Sequence, residues 1–203
     1  MTIENQASIS APARRRGVVL ELLRTLAEAL VVFLLISYLT GRFEVHQLSM
    51  EPNFHEGQRV VVSRLEVLWP TWLVRVAEAA GESRQPNPSL QRGQVVVLFP
   101  DAARQGDPLI KRVVGLPGDR IDLRDGVVLA NGQPLDEPYL DGVRTACTFR
   151  CTPLTLGPDE FYVLGDNRTN SLDSRTFGPV RAANIVGRVV LRYWPLDKIE
   201  FYP

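Results

Sequence analysis

The sequence predicts a mainly β domain carried behind one N-terminal helix, and three observations predict it. From Phe43 onward the chain falls into short β-branched runs separated by Gly, Pro and Asn turn signals. Before that, residues 17–42 hold an apolar stretch without such punctuation, preceded by Arg14-Arg15-Arg16. One later run, Leu109-Ile110-Lys111-Arg112-Val113-Val114-Gly115, sets a lysine in the middle of an apolar strand. At 203 residues and 45% hydrophobic content, one domain with a sizeable core is expected. Basic and acidic side chains balance to a formal net charge of zero, which argues against a nucleic-acid partner.

Taken in order, residues 1–16 read as a disordered, basic cytoplasmic tail, 17–42 as a membrane anchor helix and 43–203 as an extracytoplasmic β domain. The charge-free run Ala29–Gly41 is 13 residues, short of the roughly 20 that a spanning helix needs. Extending it back to Leu22 reaches that length but takes in Arg24 and Glu28, which can pair at a spacing of four. A single-pass anchor, a cleavable signal peptide and an amphipathic or core helix all compete for this segment. The anchor is favoured because Ser37–Gly41 makes a poor small-x-small cleavage site. The arginine cluster then sets the N-terminus in the cytoplasm, the rest outside the cytoplasmic membrane, and lipid as a partner.

Strands are expected at Arg59–Val62, Gln94–Phe99, Leu109–Gly115, Val127–Ala130, Gln133–Leu135, Phe161–Leu164 and Ile185–Tyr193. Asn131-Gly132 marks a two-residue hairpin turn, at the centre of a hairpin-rich subdomain over 120–160. Residues 65–92 interrupt the pattern. Trp69–Glu78 reads as a helix whose Trp69 and Trp72 either touch a membrane surface or pack on the β domain, and Gly81–Arg92 reads as loop.

Lys111 is one of two lysines in the chain, the other being Lys198. Arginine cannot lose its proton in a protein, but a buried lysine can. With a period of two, Leu109, Lys111 and Val113 share a face, and desolvation there lowers an amine's pKa towards what a general base requires. The competing reading is an edge-strand lysine that snorkels to solvent. Ser49 stands just before the turn signal Pro52-Asn53 and is a nucleophile only if a base takes its proton. In an extended strand His46 points away from it, and His55 has no strong Asp to orient it. A Ser-His-Asp triad is therefore unsupported, and Lys111 is the better base. Two Cys and two distant His make no zinc site, so no metal and no cofactor are expected. Cys147 and Cys151 form a tight disulfide outside the cytoplasm, or stay reduced inside it. The polar stretch Gly165–Gly178 is either a solvated turn or the holder of a hydroxyl that orients the base, with Asp173 and Arg175 as an ion pair.

Four stretches in order resemble the sequence boxes of bacterial type I signal peptidases: Ser49-Met50-Glu51-Pro52, Gly93–Leu98, Ile110–Asp119, and Gly165-Asp166-Asn167-Arg168 through Ser171-Leu172-Asp173-Ser174-Arg175. The resemblance implies a signal-peptidase-like catalytic β-sheet or barrel domain that cleaves preproteins after Ala-x-Ala-like sites. It implies Ser49 as nucleophile, Lys111 as general base and Ser171 as the hydroxyl that orients the lysine, with Asp173 and Arg175 supporting the loop. The Ser49 N–H matches one oxyanion donor. Phe43, Val45, Met50, Phe54 and Ile110 match the lining of the substrate pockets. Preproteins are the implied partners, with secretion machinery beside them. The chain departs from the family pattern at three places. Gln47 replaces a small or hydroxyl residue two before the serine, which makes its amide the candidate second oxyanion donor. Asn53 replaces a Thr, and Gln94 an acidic residue.

Two other classes fit parts of this pattern. One is a dedicated or self-cleaving Ser-Lys protease on the same fold, though no helix-turn-helix of a repressor is visible. The other is a non-catalytic anchored β domain, which loss of Ser49 or Lys111 would favour; both are present.

Overall fold

The structure, a computed structural model, describes residues 11–65, 90–147 and 152–202. The N-terminal helix runs from Ala11 to Leu39, 29 residues. It starts within the stretch expected to be a disordered tail, so residues 11–16 are helical and only 1–10 lie outside the described part. It also ends three residues earlier than expected, and a strand begins at Thr40. Leu30 through Ile36 are all exposed, and seven consecutive helical residues cover every face of a helix. Arg24 donates to Glu28 at 2.9 Å, the pair expected from their spacing.

The expectation of a spanning helix needs correction. Among the described residues no helix is long and apolar enough to cross a membrane. Arg24 and Glu28 sit inside the apolar stretch. The charge-free helical remainder, Ala29 to Leu39, rises only about 16 Å, against a hydrocarbon core of about 30 Å.

From Thr40 onward the described chain is antiparallel β. In chain order the strands are β1 (Thr40–Glu44), β2 (Arg59–Ser63), β3 (Val95–Leu98), β4 (Leu109–Gly115), β5 (Arg120–Arg124), β6 (Val127–Ala130), β7 (Gln133–Pro134), β8 (Leu154–Thr155), β9 (Glu160–Leu164), β10 (Val180–Arg181), β11 (Ile185–Trp194) and β12 (Glu200–Phe201). The larger sheet has the order β1-β2-β11-β3-β4-β9-β10, with β12 also on β11. The smaller one has the order β7-β6-β5-β8. Bulges in β11, between Val189 and Leu191 and between Arg192 and Trp194, bend the larger sheet.

Burial explains the register. All seven residues of β4 are buried, because β3 and β9 flank it and side chains cover both of its faces. Val45, Met50, Phe54, Val60, Val97 and Ile110 share one core cluster. Leu98, Leu109, Val113, Phe161 and Val163 share a second. Ile121, Val128 and Leu156 of the hairpin region close a third against Val114 and Leu164. The Asn131-Gly132 turn forms as expected, with φ of 55° and 82° at its two residues, the left-handed pair that a type I′ turn requires. Residues 66–89, including Trp69, Trp72 and the expected helix, lie outside the described residues.

Candidate active site

β4 carries Lys111 opposite Val96 of β3, and the lysine is fully buried. A central strand offers it no route to solvent, which removes the snorkelling alternative. Its Nζ lies 2.7 Å from Ser49 Oγ and donates to the Ile110 carbonyl at 2.8 Å. Burial lowers the amine from 10.5 to about 8, against Asp173 and Asp166, which pull it upward. Ser49 is the middle residue of a 3-10 turn, Leu48–Met50, and is itself buried. Neither histidine competes for it. His46 is exposed, and the exposed His55 ring faces Glu51 at 3.4 Å.

Asp173 and Arg175 pair as expected, at 2.9 and 2.7 Å. Burial would raise the Asp173 carboxyl, but hydrogen bonds and charge from Arg175 and the Gly165 N–H outweigh it and hold the carboxyl below its usual value. Asp173 also caps the helical turn Ser174–Phe177 by accepting from the Arg175 N–H. Arg175 donates onward to the carbonyls of Arg168 and Ala146.

Ser171 departs from expectation. Its hydroxyl is buried, and among the described residues no hydrogen bond joins it to Lys111 or to any other group. It lies near enough to Asp173 to help hold that carboxyl down. It packs instead over Gly165, where a Cβ would overlap the Ser171 hydroxyl and the Ser49 carbonyl. The lysine amine takes its second partner from its own strand, the Ile110 carbonyl.

A pocket of about 410 Å³ lies beside β1, lined among others by Phe43, Val45, Gln47, Pro108 and Ile110. Gln47 precedes the Ser49 turn and spends no side-chain hydrogen bond on capping it. Met50 and Phe54 do not line this pocket. Both are fully buried in the cluster that backs Val45 and Ile110, because the turn after Ser49 folds these large side chains inward.

Sequence reasoning missed a layer of buried ion pairs. Arg112 is bidentate on Asp166, at 2.8 and 2.5 Å. Asn53 donates to the same carboxylate and to the Tyr139 carbonyl, and Arg112 stacks over the Tyr139 ring at 4.0 Å. Arg168 is fully buried between Glu137 and Thr145. The signal was in the sequence: Arg112 follows Lys111 within an apolar run, and an arginine there needs a buried acid. Asn167 was also passed over, though it donates from its backbone to the Ser49 carbonyl and from its side chain to the Leu48 carbonyl. Cys147 is disulfide-bonded; Cys151 lies outside the described residues. No cluster of metal-ligating side chains occurs among the described residues.

The sequence of residues 19–194 matches the family model described as signal peptidase, peptidase S26. The chain belongs to this family. Among signal peptidase relatives, a signal peptidase I of Leptolyngbya laminosa is 42% identical over 115 residues, 54% of this chain and 55% of that one. The probable signal peptidase I-2 of Synechocystis is 30% identical over 89% of this chain and 75% of its own length. Signal peptidase IB of Staphylococcus aureus is 29% identical over 90% and 93%. A crystal structure of a signal peptidase I from Enterococcus faecalis aligns with 49% of this chain and 96% of its own, at 32% identity and a TM-score of 0.42. Family membership makes the chain a signal peptidase by descent, and so a hydrolase of peptide bonds.

Proposed function

We propose that this chain is a membrane-attached serine endopeptidase that removes N-terminal signal peptides from exported preproteins after Ala-x-Ala-like sites. The observation that carries the proposal is the 2.7 Å approach of the buried Lys111 amine to Ser49 Oγ. With the amine lowered to about 8, about a tenth of it is neutral at pH 7, against well under a thousandth at 10.5. The neutral amine accepts the Ser49 O–H proton as Oγ attacks the scissile carbonyl. The resulting ammonium returns that proton to the leaving amine, and the acyl group remains on Ser49 until a water, deprotonated by the same lysine, releases it.

The Ser49 N–H and the Gln47 amide supply the oxyanion donors, and Phe43, Val45 and Ile110 form the wall that admits small side chains. Asp173 and Arg175 fix the supporting loop. Ser171 steadies the amine once substrate is bound, since catalytic hydrogen bonds often tighten only in the Michaelis complex. The helix exposes apolar side chains on every face, and a surface of that kind is kept from water by lipid. We place the chain at the cytoplasmic membrane on this ground, with its β domain outside, near the secretion machinery that delivers preproteins.

Incubating the purified protein with a preprotein and sequencing the new N-terminus tests the proposal. Cleavage directly after a small-x-small site is the expected result. No cleavage, or cleavage that persists in Ser49→Ala, would contradict it.

A further inference from the structure

We propose that Asn167 is a positioning residue that aims the Ser49 N–H at the substrate's oxyanion. This rests on the reading of Ser49 as nucleophile. The Ser49 N–H belongs to the same peptide unit as the Leu48 carbonyl, and in a planar trans peptide the two point in opposite directions. Whatever holds the carbonyl therefore sets the direction of the N–H. Two donors hold the Leu48 carbonyl: the Glu51 N–H and Asn167 Nδ2, each at 3.2 Å. The next peptide unit is held by the same residue, because the Asn167 N–H donates to the Ser49 carbonyl at 3.0 Å. One residue of the Gly165–Arg175 loop thus fixes two consecutive peptide planes around the nucleophile.

The amide of Asn167 can sit only one way round. Its Oδ1 accepts from the Asn170 N–H at 3.1 Å and from Thr169 Oγ1 at 3.0 Å, which turns Nδ2 towards Leu48. The Ser49 N–H lies at the start of its 3-10 turn, where N–H groups have no partner within the turn, and Gln47 does not cap it. Donation into the Leu48 carbonyl also polarises the peptide unit and strengthens its N–H as a donor. The contribution belongs to the charged tetrahedral state more than to substrate binding.

The test uses a small-x-small peptide substrate and the matching peptide aldehyde, whose addition to Ser49 creates the same oxyanion. Rates are taken at pH values above the lysine limb. Asn167→Ala and Asn167→Asp are compared, since Asp keeps the oxygen that holds Thr169 and Asn170 but lacks the donor to Leu48. Both variants are expected to lose about tenfold in kcat, less than the roughly hundredfold of deleting an oxyanion donor outright. KM should change little, and the aldehyde should weaken by the same factor as kcat. If Asn167→Ala folds poorly, Asn167→Asp carries the test alone. Asn167→Asp within threefold of wild type in kcat, or unchanged aldehyde affinity, overturns the inference. Activity in Ser49→Ala would instead overturn the reading on which it rests.

Discussion

Lys111 Nζ and Ser49 Oγ, 62 positions apart in the chain, meet at 2.7 Å inside the β domain. The contact is made by a central strand on one side and a 3-10 turn on the other. Both side chains are buried there, and the amine gives up much of its affinity for protons.

The first prediction is kinetic. Because the amine must be unprotonated to act, kcat/KM should rise with pH and level off above an apparent pKa of about 8. A plateau that begins only above pH 10, or a flat profile from about pH 6 to 9, would argue against a buried titrating lysine.

The same burial destabilises the fold, and the sign can be worked through. The folded pKa of about 8 lies below the 10.5 of the free side chain. Between those values the unfolded chain binds more protons, so this group makes stability rise with pH across that window and leaves a constant deficit below it. Lys111→Met should therefore be inactive yet more stable near pH 7, by up to roughly 3 kcal/mol. The advantage should shrink as pH approaches 10. Urea unfolding of both proteins at several pH values checks this, and a less stable Met variant at pH 7 would refute it.

Gly165 offers a steric test. A methyl group there overlaps both the Ser49 carbonyl and the Ser171 hydroxyl, and a shift of 1 Å at the reacting atoms costs about a hundredfold. Gly165→Ala should lose about that factor in kcat while the far-UV circular dichroism stays unchanged. Near-normal kcat would show that the loop has room to give.

Gln47 lines the pocket, and its side chain makes no cap to the Ser49 turn. If that amide donates to the oxyanion, Gln47→Ala should cost about a hundredfold in kcat. A loss below about threefold would assign the second donor elsewhere and leave Ser49 and Lys111 untouched.

Much of this was legible in the sequence because β-branched runs and turn residues act locally. The Asn131-Gly132 hairpin and β4 followed from composition alone. The short strands β8, β10 and β12, two residues each, were not legible, since only their neighbours hold them extended. β1 was missed because its first three residues were assigned to the end of the anchor helix, and β5 was not picked out although Ile121 and Leu123 alternate with charged residues as a strand's do. Ser49 and Lys111 were readable as a pair because one is a nucleophile in want of a base and the other a lysine in an apolar run. An arginine in an apolar run announces the need of a buried acid, but that the acids are Asp166 for Arg112 and Glu137 for Arg168 was not readable, because partners 54 and 31 positions apart are brought together by topology. Met50 and Phe54 were placed at the pocket by resemblance, whereas core packing draws them inward. The helix misled for a physical reason too: the exposed apolar surface that marks it for lipid is interrupted by the Arg24–Glu28 pair.

The most direct test of the central claim is the activity of Lys111→Arg on a small-x-small peptide. Arginine keeps the positive charge and hydrogen-bonding capacity but cannot accept the serine proton at any accessible pH. The account predicts less than about one per cent of wild-type kcat/KM at every pH, with the fold retained by circular dichroism. Activity above a few per cent in a folded Lys111→Arg protein would contradict it.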